Sequence, residues 1–202
     1  GNFGNILAGW MAKKMGLPIS RLICGSNKND ILTRFFESGI MKRKNVSPSY
    51  SPSMDIQVSS NFERLLYEIN ERDTNLVKKQ MNNFKVDGNF NINQDQLNKI
   101  NDVFSAFKID DVETIDIIKK TYLNHKYIID PHSAIGYGAV EKAIEQKIIS
   151  NNSPIISLAC AHPAKFPQVI KKSIGITPQS TAHLKKIMKQ KENFKIIEPN
   201  LK

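Results

Sequence analysis

The chain opens on Gly1-Asn2-Phe3-Gly4-Asn5 and runs directly into a segment where Ile6, Leu7, Trp10, Met11 and Met15 recur at helical spacing, closed by Gly16 and Pro18. The first turn of a helix presents backbone N–H groups that lack an intrahelical partner, at the positive end of the peptide dipole. Glycines beside that turn remove the Cβ atoms that would hold an anion away, and Asn2 and Asn5 add amide donors. These five residues read as a phosphate cradle. Taken alone, the same residues also suit a frayed chain end.

A second place for chemistry follows the apolar run Ile155-Ile156-Ser157-Leu158-Ala159, expected to be a buried strand. In α/β sheets, ligands sit beyond the carboxyl ends of strands, where loops enter the next helix. The loop here carries Cys160, His162 and Lys165. A short polar side chain at that place can contact a cofactor ring, and Lys165 near a helix start can pair with an anion. The plainer alternatives are a buried small residue for Cys160, a helix cap for His162 and a surface charge for Lys165. Asp130 and His132 are close in sequence, but no nucleophile joins them. His125, His132, His162 and His183 lack the spacing of a helical metal-binding pair, and Cys24 lies far from Cys160, so no metal site is expected. Neither a Gly-x-Ser-x-Gly elbow nor a Walker lysine motif occurs.

The elements that must position these residues read as a layered α/β domain. A helix over 5–15 leads to a nearly all-apolar strand over 20–25, the type found in sheets covered on both faces. Asn29 or Asp30 caps a helix with Ile31, Leu32, Phe35 and Phe36 inward and Gly39 as its stop. Residues 40–58 form a proline- and serine-rich loop, too long for a simple connection. Ser60 and Glu63 suggest a capping box for a helix carrying Phe62, Leu65, Leu66 and Ile69. From about 72 to 124 the stripes are helical throughout: one ends at Asp87-Gly88, one starts at Asn93 with Gln96, and one starts at Asp111. Residues 60–125 are therefore expected to be a helical insert. Asp130-Pro131 starts a further helix, Pro163 and Thr177-Pro178 start the last two, and Phe194 to Ile197 suggest a small edge strand.

The 202 residues carry a formal net charge of +10, with 40% hydrophobic and 24% charged residues. The lysines are scattered and only Met41-Lys42-Arg43-Lys44 is dense, which favours a solvated surface over a nucleic-acid interface. No apolar run approaches the ~20 residues of a membrane span, and no secretory signal is recognisable. Cys24 and Cys160, both in apolar strand-like runs, read as reduced, buried thiols of a cytoplasmic protein. Gly1 opens a motif instead of preceding one, so the residues are expected to be the C-terminal part of a longer protein.

Five blocks resemble threonine synthase in the same order: Gly1 to Gly16, Leu22-Ile23-Cys24-Gly25-Ser26-Asn27-Lys28-Asn29-Asp30, Ser51 to Leu66 (Ser-Pro-Ser-Met-Asp-Ile-Gln-Val-Ser-Ser-Asn-Phe-Glu-Arg-Leu-Leu), Asp130 to Gly136, and Ala161-His162-Pro163-Ala164-Lys165-Phe166. That resemblance implies the tryptophan-synthase-β-like fold of pyridoxal-phosphate enzymes, fold type II, with three layers around a mostly parallel sheet. It implies conversion of O-phosphohomoserine and water to threonine and phosphate, with the cofactor ring as electron sink. In the family, the loop matching Gly1, Asn2, Phe3, Gly4 and Asn5 holds the cofactor phosphate. A threonine usually hydrogen-bonds the ring nitrogen where this chain has Cys160, a departure that leaves a weaker, neutral partner. Ser133 stands where threonine is common and is a second-choice contact to the ring or the substrate; His132, Ser133 and Lys165 are expected on the substrate side. The lysine that links the cofactor belongs to the family's N-terminal half, and no lysine here stands in a matching motif. No catalytic residue is therefore expected in this chain, which would be inactive alone and complete the site with a missing N-terminal half. The rivals are another fold type II lyase or dehydratase, and a basic, non-catalytic binding module.

Overall fold

A computed structural model of the protein describes residues 1–198; the expected domain, reaching residue 202, runs past them. The helices are α1 (Gly4–Lys14), α2 (Ile31–Ser38), α3 (Phe62–Ile69), α4 (Thr74–Val86), α5 (Gln94–Asn101), α6 (Asp111–His125), α7 (Pro131–Glu145), α8 (Pro167–Ile174) and α9 (Ala182–Met188). The strands are β1 (Leu22–Ser26), β2 (Ile40–Lys42), β3 (Asn89–Asn91) and β4 (Phe104–Lys108), with 3-10 turns at Pro52–Met54 and Pro163–Lys165.

β1 and β4 pair in parallel, from Leu22 opposite Phe104 to Ser26 opposite Lys108. Successive strand residues face opposite sides, and the two sides meet different layers. Leu22, Cys24 and Phe104 join the large core with Leu7, Phe35, Phe36 and Phe62. Ile23 and Phe107 pack on Ala139 and Ala143 of α7. The result is an α/β/α arrangement, which is why β1 is apolar on both faces. β2 and β3 form a separate antiparallel ribbon.

Gly25 sets how closely α7 approaches the sheet. A Cβ there would lie 2.9 Å from the Ile135 carbonyl oxygen and 3.0 Å from Ile135 Cγ2. Backbone cannot rotate aside, so only glycine fits, and the first turn of α7 is brought over the carboxyl end of β1.

Several local expectations hold for their stated reasons. Gly39 closes α2 in the left-handed conformation, with its N–H on the Phe35 carbonyl at 2.8 Å. Asn93 and Gln96 form a capping box, and Asp130 caps α7 with Pro131 at its first position. Others need correction. The stretch expected to be helical throughout contains β3 and β4, and β4 is half of the parallel sheet. Phe104 and Phe107 are spaced like one helical stripe, but on a strand they point into two different cores. Residues 155–159 are not a buried strand: Ile156 is 84% and Leu158 50% exposed. An apolar run states a need for burial without naming a neighbour, and the following residues are tethered to the start of α7 instead of to a sheet edge. Residues 194–197 form no strand either. The last helix begins after Thr181, whose hydroxyl accepts from the Leu184 N–H, and not at Pro178. Asp110, one residue before the expected Asp111, caps α6, and α3 starts at Asn61 without the Ser60–Glu63 box.

The Gly25→Ala variant is expected to lose about 1–3 kcal/mol of stability from overpacking, read as a lower denaturant midpoint. Gly136→Ala, whose added Cβ meets only Ser157 Oγ at 3.5 Å, is the control and is expected to lose none.

Candidate functional site

The first turn of α1 is uncapped. Its N-cap, Phe3, offers no side-chain acceptor, and the first backbone bond of the helix is Leu7 N–H to the Phe3 carbonyl at 2.9 Å. Phe3 itself has φ of 63° and lies in the left-handed region, a conformation costing a bulky residue on the order of 1–3 kcal/mol. Its ring offsets that cost: it is 3% exposed and stands 5.4 Å from the Phe62 ring and 6.0 Å from the Phe104 ring, centroid to centroid. The Phe3 side chain is thus a core anchor that aims the backbone, while Asn2, Gly4 and Asn5 stay exposed.

The two glycines of the loop differ in their reasons. At Gly1, a Cβ would lie 3.1 Å from Met54 Cα and from the Ser53 carbonyl oxygen, so the 51–55 turn crowds the position and would have to give by a few tenths of an ångström to admit a side chain. At Gly4, a Cβ would meet only Asn61 Nδ2 at 3.5 Å, and the approach from solvent is open. Asn61 Nδ2 also donates to the Asn2 carbonyl at 3.0 Å, and Ser59 Oγ donates to the Gly1 carbonyl at 3.3 Å. The serine-rich block after residue 50 therefore holds the outer side of the cradle.

The opposite wall is organised by Asp130, 2% exposed. Its Oδ1 accepts from the His132 N–H at 2.9 Å, the Ser133 N–H at 3.4 Å and His132 Nδ1 at 3.2 Å. Its Oδ2 accepts from Ser133 Oγ and, at 3.3 Å, from the Ala161 N–H. Ser133 Oγ in turn accepts from the Cys160 N–H at 2.7 Å. The backbone of 160–161 is so fixed against the start of α7, and Asn5 Nδ2 reaches Cys160 Sγ at 3.7 Å. Burial works to raise the Asp130 carboxyl, but these hydrogen bonds outweigh it and hold it below the usual carboxylate value. Partial burial, then the Asp130 charge, push the Cys160 thiol above its usual value, so it is protonated at neutral pH.

The structure brings together Gly1, Asn2, Phe3, Gly4, Asn5, Ser133 and Cys160. Cys160 is exposed, not buried as expected, while Cys24 is buried in β1, where desolvation pushes its thiol up to about 11. His132 is buried, and both ring nitrogens have protein partners: Nδ1 faces Asp130, and Nε2 accepts the Ser53 N–H at 3.2 Å. His132 thus ties the 51–55 turn to α7. His162 caps the 3-10 turn through its Nδ1, which accepts the Ala164 N–H at 3.1 Å. Lys165 is exposed and has no ion pair among the described residues.

Sequence reasoning gave Asn29 only an alternative capping role and assigned none to Asn27 and Asp55, yet the three make a dense polar network at the carboxyl end of β1. Asp55 Oδ1 accepts from Asn27 Nδ2 at 2.7 Å, Asn29 Nδ2 at 2.9 Å and Ser49 Oγ at 2.6 Å, and its Oδ2 accepts the Ser49 N–H at 2.9 Å. This network pins the long loop over the sheet end. The signal was available, since these residues lie in two of the blocks that carry the family resemblance.

The Asp130→Asn variant keeps the side-chain shape but removes the charge, with an expected loss of about 1.5–3 kcal/mol at neutral pH. Because the folded carboxyl titrates below its unfolded value near ~3.9, the stabilisation is fully present above about pH 4 and is lost as the pH falls through the folded value. Denaturant midpoints of the two proteins measured from neutral to acid pH are expected to converge only on the acid side.

Comparison with known proteins bears on the same residues. A family model described as threonine synthase, C-terminal, matches residues 133–202. The chain is 37% identical over 201 residues to threonine synthase of Pseudomonas aeruginosa, covering 99% of this chain and 42% of the relative. It is 39% identical over 221 residues to the Saccharomyces cerevisiae enzyme, covering 98% of this chain and 42% of that one. Among solved structures, PLP-bound threonine synthase from Brucella melitensis superposes with a TM-score of 0.88 at 45% identity, over 98% of this chain and 41% of that one. Yeast threonine synthase superposes with a TM-score of 0.85 at 36% identity, over 95% of this chain and 42% of that one. The chain spans less than half the length of each relative. By block order, fold and identity across nearly all of its own length, it belongs to the threonine synthase family and corresponds to the C-terminal portion of those proteins.

Proposed function

We propose that these residues form the C-terminal part of the catalytic domain of a pyridoxal-phosphate-dependent threonine synthase, acting on O-phosphohomoserine and water to give threonine and phosphate. The observation that carries the reading is the juxtaposition of an uncapped α1 N-terminus with Cys160, linked through Asn5. The two features suit the two ends of one cofactor: a phosphate, and a ring nitrogen. The residues fit that group chemically. The open approach at Gly4 admits an anion to the first-turn N–H groups, and a protonated thiol is a neutral donor to a neutral ring nitrogen. When bound, pyridoxal phosphate supplies an electron-withdrawing ring that stabilises negative charge on neighbouring carbons.

This chain's own contribution is binding and orientation. Gly1, Asn2, Phe3, Gly4 and Asn5 hold the phosphate end. Cys160 meets the ring, kept in place by Ser133 and Asp130. His132 positions the 51–55 turn, and Lys165 is available to an anionic substrate group. The cofactor-linking lysine lies, on this proposal, in the part of the family's length that the chain does not span, since such a lysine must be desolvated and aimed at the ring. The two free thiols support a reducing, cytoplasmic setting. Among the described residues no helix is long and apolar enough to cross a membrane.

The test is phosphate release from O-phosphohomoserine by the complete protein with pyridoxal phosphate supplied. Phosphate and threonine are expected in equal amounts, and none from these 202 residues alone. Release without threonine would move the function to another lyase of this fold. In the complete protein, Cys160→Thr is expected to keep turnover within about threefold, under 1 kcal/mol of barrier. A large gain would mean that the thiol is a catalytic defect.

A further inference from the structure

Asn61 stands where a helix cap belongs and does not cap. It occupies the N-cap position of α3, where asparagine is favoured because its side-chain oxygen takes up a free N–H of the first turn. That bond is not made, and the Asn61 backbone is already helical, with φ of −90° and ψ of −10°. The side chain is directed outward instead. Its Oδ1 accepts from Arg64 Nη1 at 2.7 Å, and its Nδ2 donates to the Asn2 carbonyl at 3.0 Å. A guanidinium only donates and a carbonyl only accepts, so these two partners fix which way round the amide stands. The Asn61 N–H adds a second bond to the same Asn2 oxygen at 3.3 Å. Local rules of this kind are broken most often at functional sites.

The effect of this clamp follows from the planarity of the peptide. In a trans peptide the C=O and N–H groups point opposite ways. The Asn2 carbonyl is drawn to Asn61, so the Phe3 N–H is turned away from α3. The Gly1 carbonyl is drawn to Ser59 Oγ, which turns the Asn2 N–H away as well. None of the N–H groups from Asn2 to Ile6 has an acceptor among the described residues. Such a succession of free N–H groups, with the left-handed Phe3 among them, forms an anion-binding concavity.

We infer that Asn61 is a positioning residue for the cradle, holding the Asn2–Phe3 peptide in the orientation that presents its N–H to a phosphate, with Arg64 holding Asn61. The inference rests on the reading of the cradle as the seat of the phosphate of pyridoxal phosphate, and adds to it a residue outside the five-residue loop. The Phe3 ring does not do this work alone. Flipping the Asn2–Phe3 peptide changes ψ of Asn2 and φ of Phe3 together, and would carry Phe3 out of the strained left-handed region while its ring stayed in the core. The strain therefore favours the flipped peptide, which turns the Phe3 N–H from the anion and puts a carbonyl oxygen in its place. The two bonds from Asn61 oppose that flip.

The experiment takes the complete protein stripped of cofactor and titrates it with pyridoxal phosphate and, separately, with pyridoxal, which lacks the phosphate. Asn61→Ala is expected to weaken pyridoxal phosphate about tenfold or more and to leave pyridoxal within about twofold. Its denaturant midpoint is expected to stay that of the parent, because no cap is lost. Asn61→Asp is expected to be at least as stable as the parent, since aspartate suits a helix N-terminus. It is expected to lose still more affinity for pyridoxal phosphate, because a carboxylate has no donor for the Asn2 carbonyl and repels an anion. A merely structural Asn61 gives the reverse pattern, with stability moved and the ratio of the two affinities unmoved. Either variant keeping the parent's ratio within about twofold overturns the inference. A parent that takes up pyridoxal as tightly as pyridoxal phosphate defeats the proposed phosphate seat itself, whereas a phosphate preference that survives in both variants defeats this inference alone.

Discussion

One carboxylate holds the site in register. Asp130 caps α7, accepts from the His132 ring and the Ser133 hydroxyl, and reaches across to the Ala161 N–H. It is a buried charge made tolerable by the number of donors around it, and such groups are costly to leave half satisfied. Each donor carries a different part of the chain. His132 brings the 51–55 turn, Ser133 brings Cys160, and α7 itself is set against β1 by the missing side chain of Gly25. Three segments that are distant in sequence thus converge on the open end of α1 without any metal or disulfide among the described residues.

The layered α/β class, β1, the caps at Asp130 and Asn93 and the stop at Gly39 were legible because each depends on neighbours a few residues away. The parallel partner of β1 was not. In Phe104-Ser105-Ala106-Phe107-Lys108 the two phenylalanines fall at helical spacing, and only the two separate cores they enter distinguish strand from helix. For Ile155 to Ala159 the difficulty ran the other way: composition asked for a strand, but pairing depends on what lies alongside.

The site was legible in outline for the same reason that local structure was. The cradle is a run of five adjacent residues whose chemistry follows from a helix N-terminus. What sequence did not disclose was the division of labour within it. Phe3 reads as one more cradle residue, yet its ring belongs to the core; Gly1 reads as room for phosphate, yet it is the 51–55 turn that crowds the position. His132 reads as a substrate group, yet both its nitrogens are already engaged. Cys160 has the opposite history, expected buried and found exposed beside Asn5.

The left-handed backbone at Phe3 has a consequence for how this family can vary. Because a core ring holds the strained residue, the cradle and the aromatic cluster of Phe36, Phe62 and Phe104 form one mechanical unit. A conservative exchange at Phe36, with no ligand nearby, shifts the seat of the Phe3 ring and with it the direction of the α1 amides. Core and cradle are therefore epistatic: the substitutions each tolerates depend on the residues already fixed in the other.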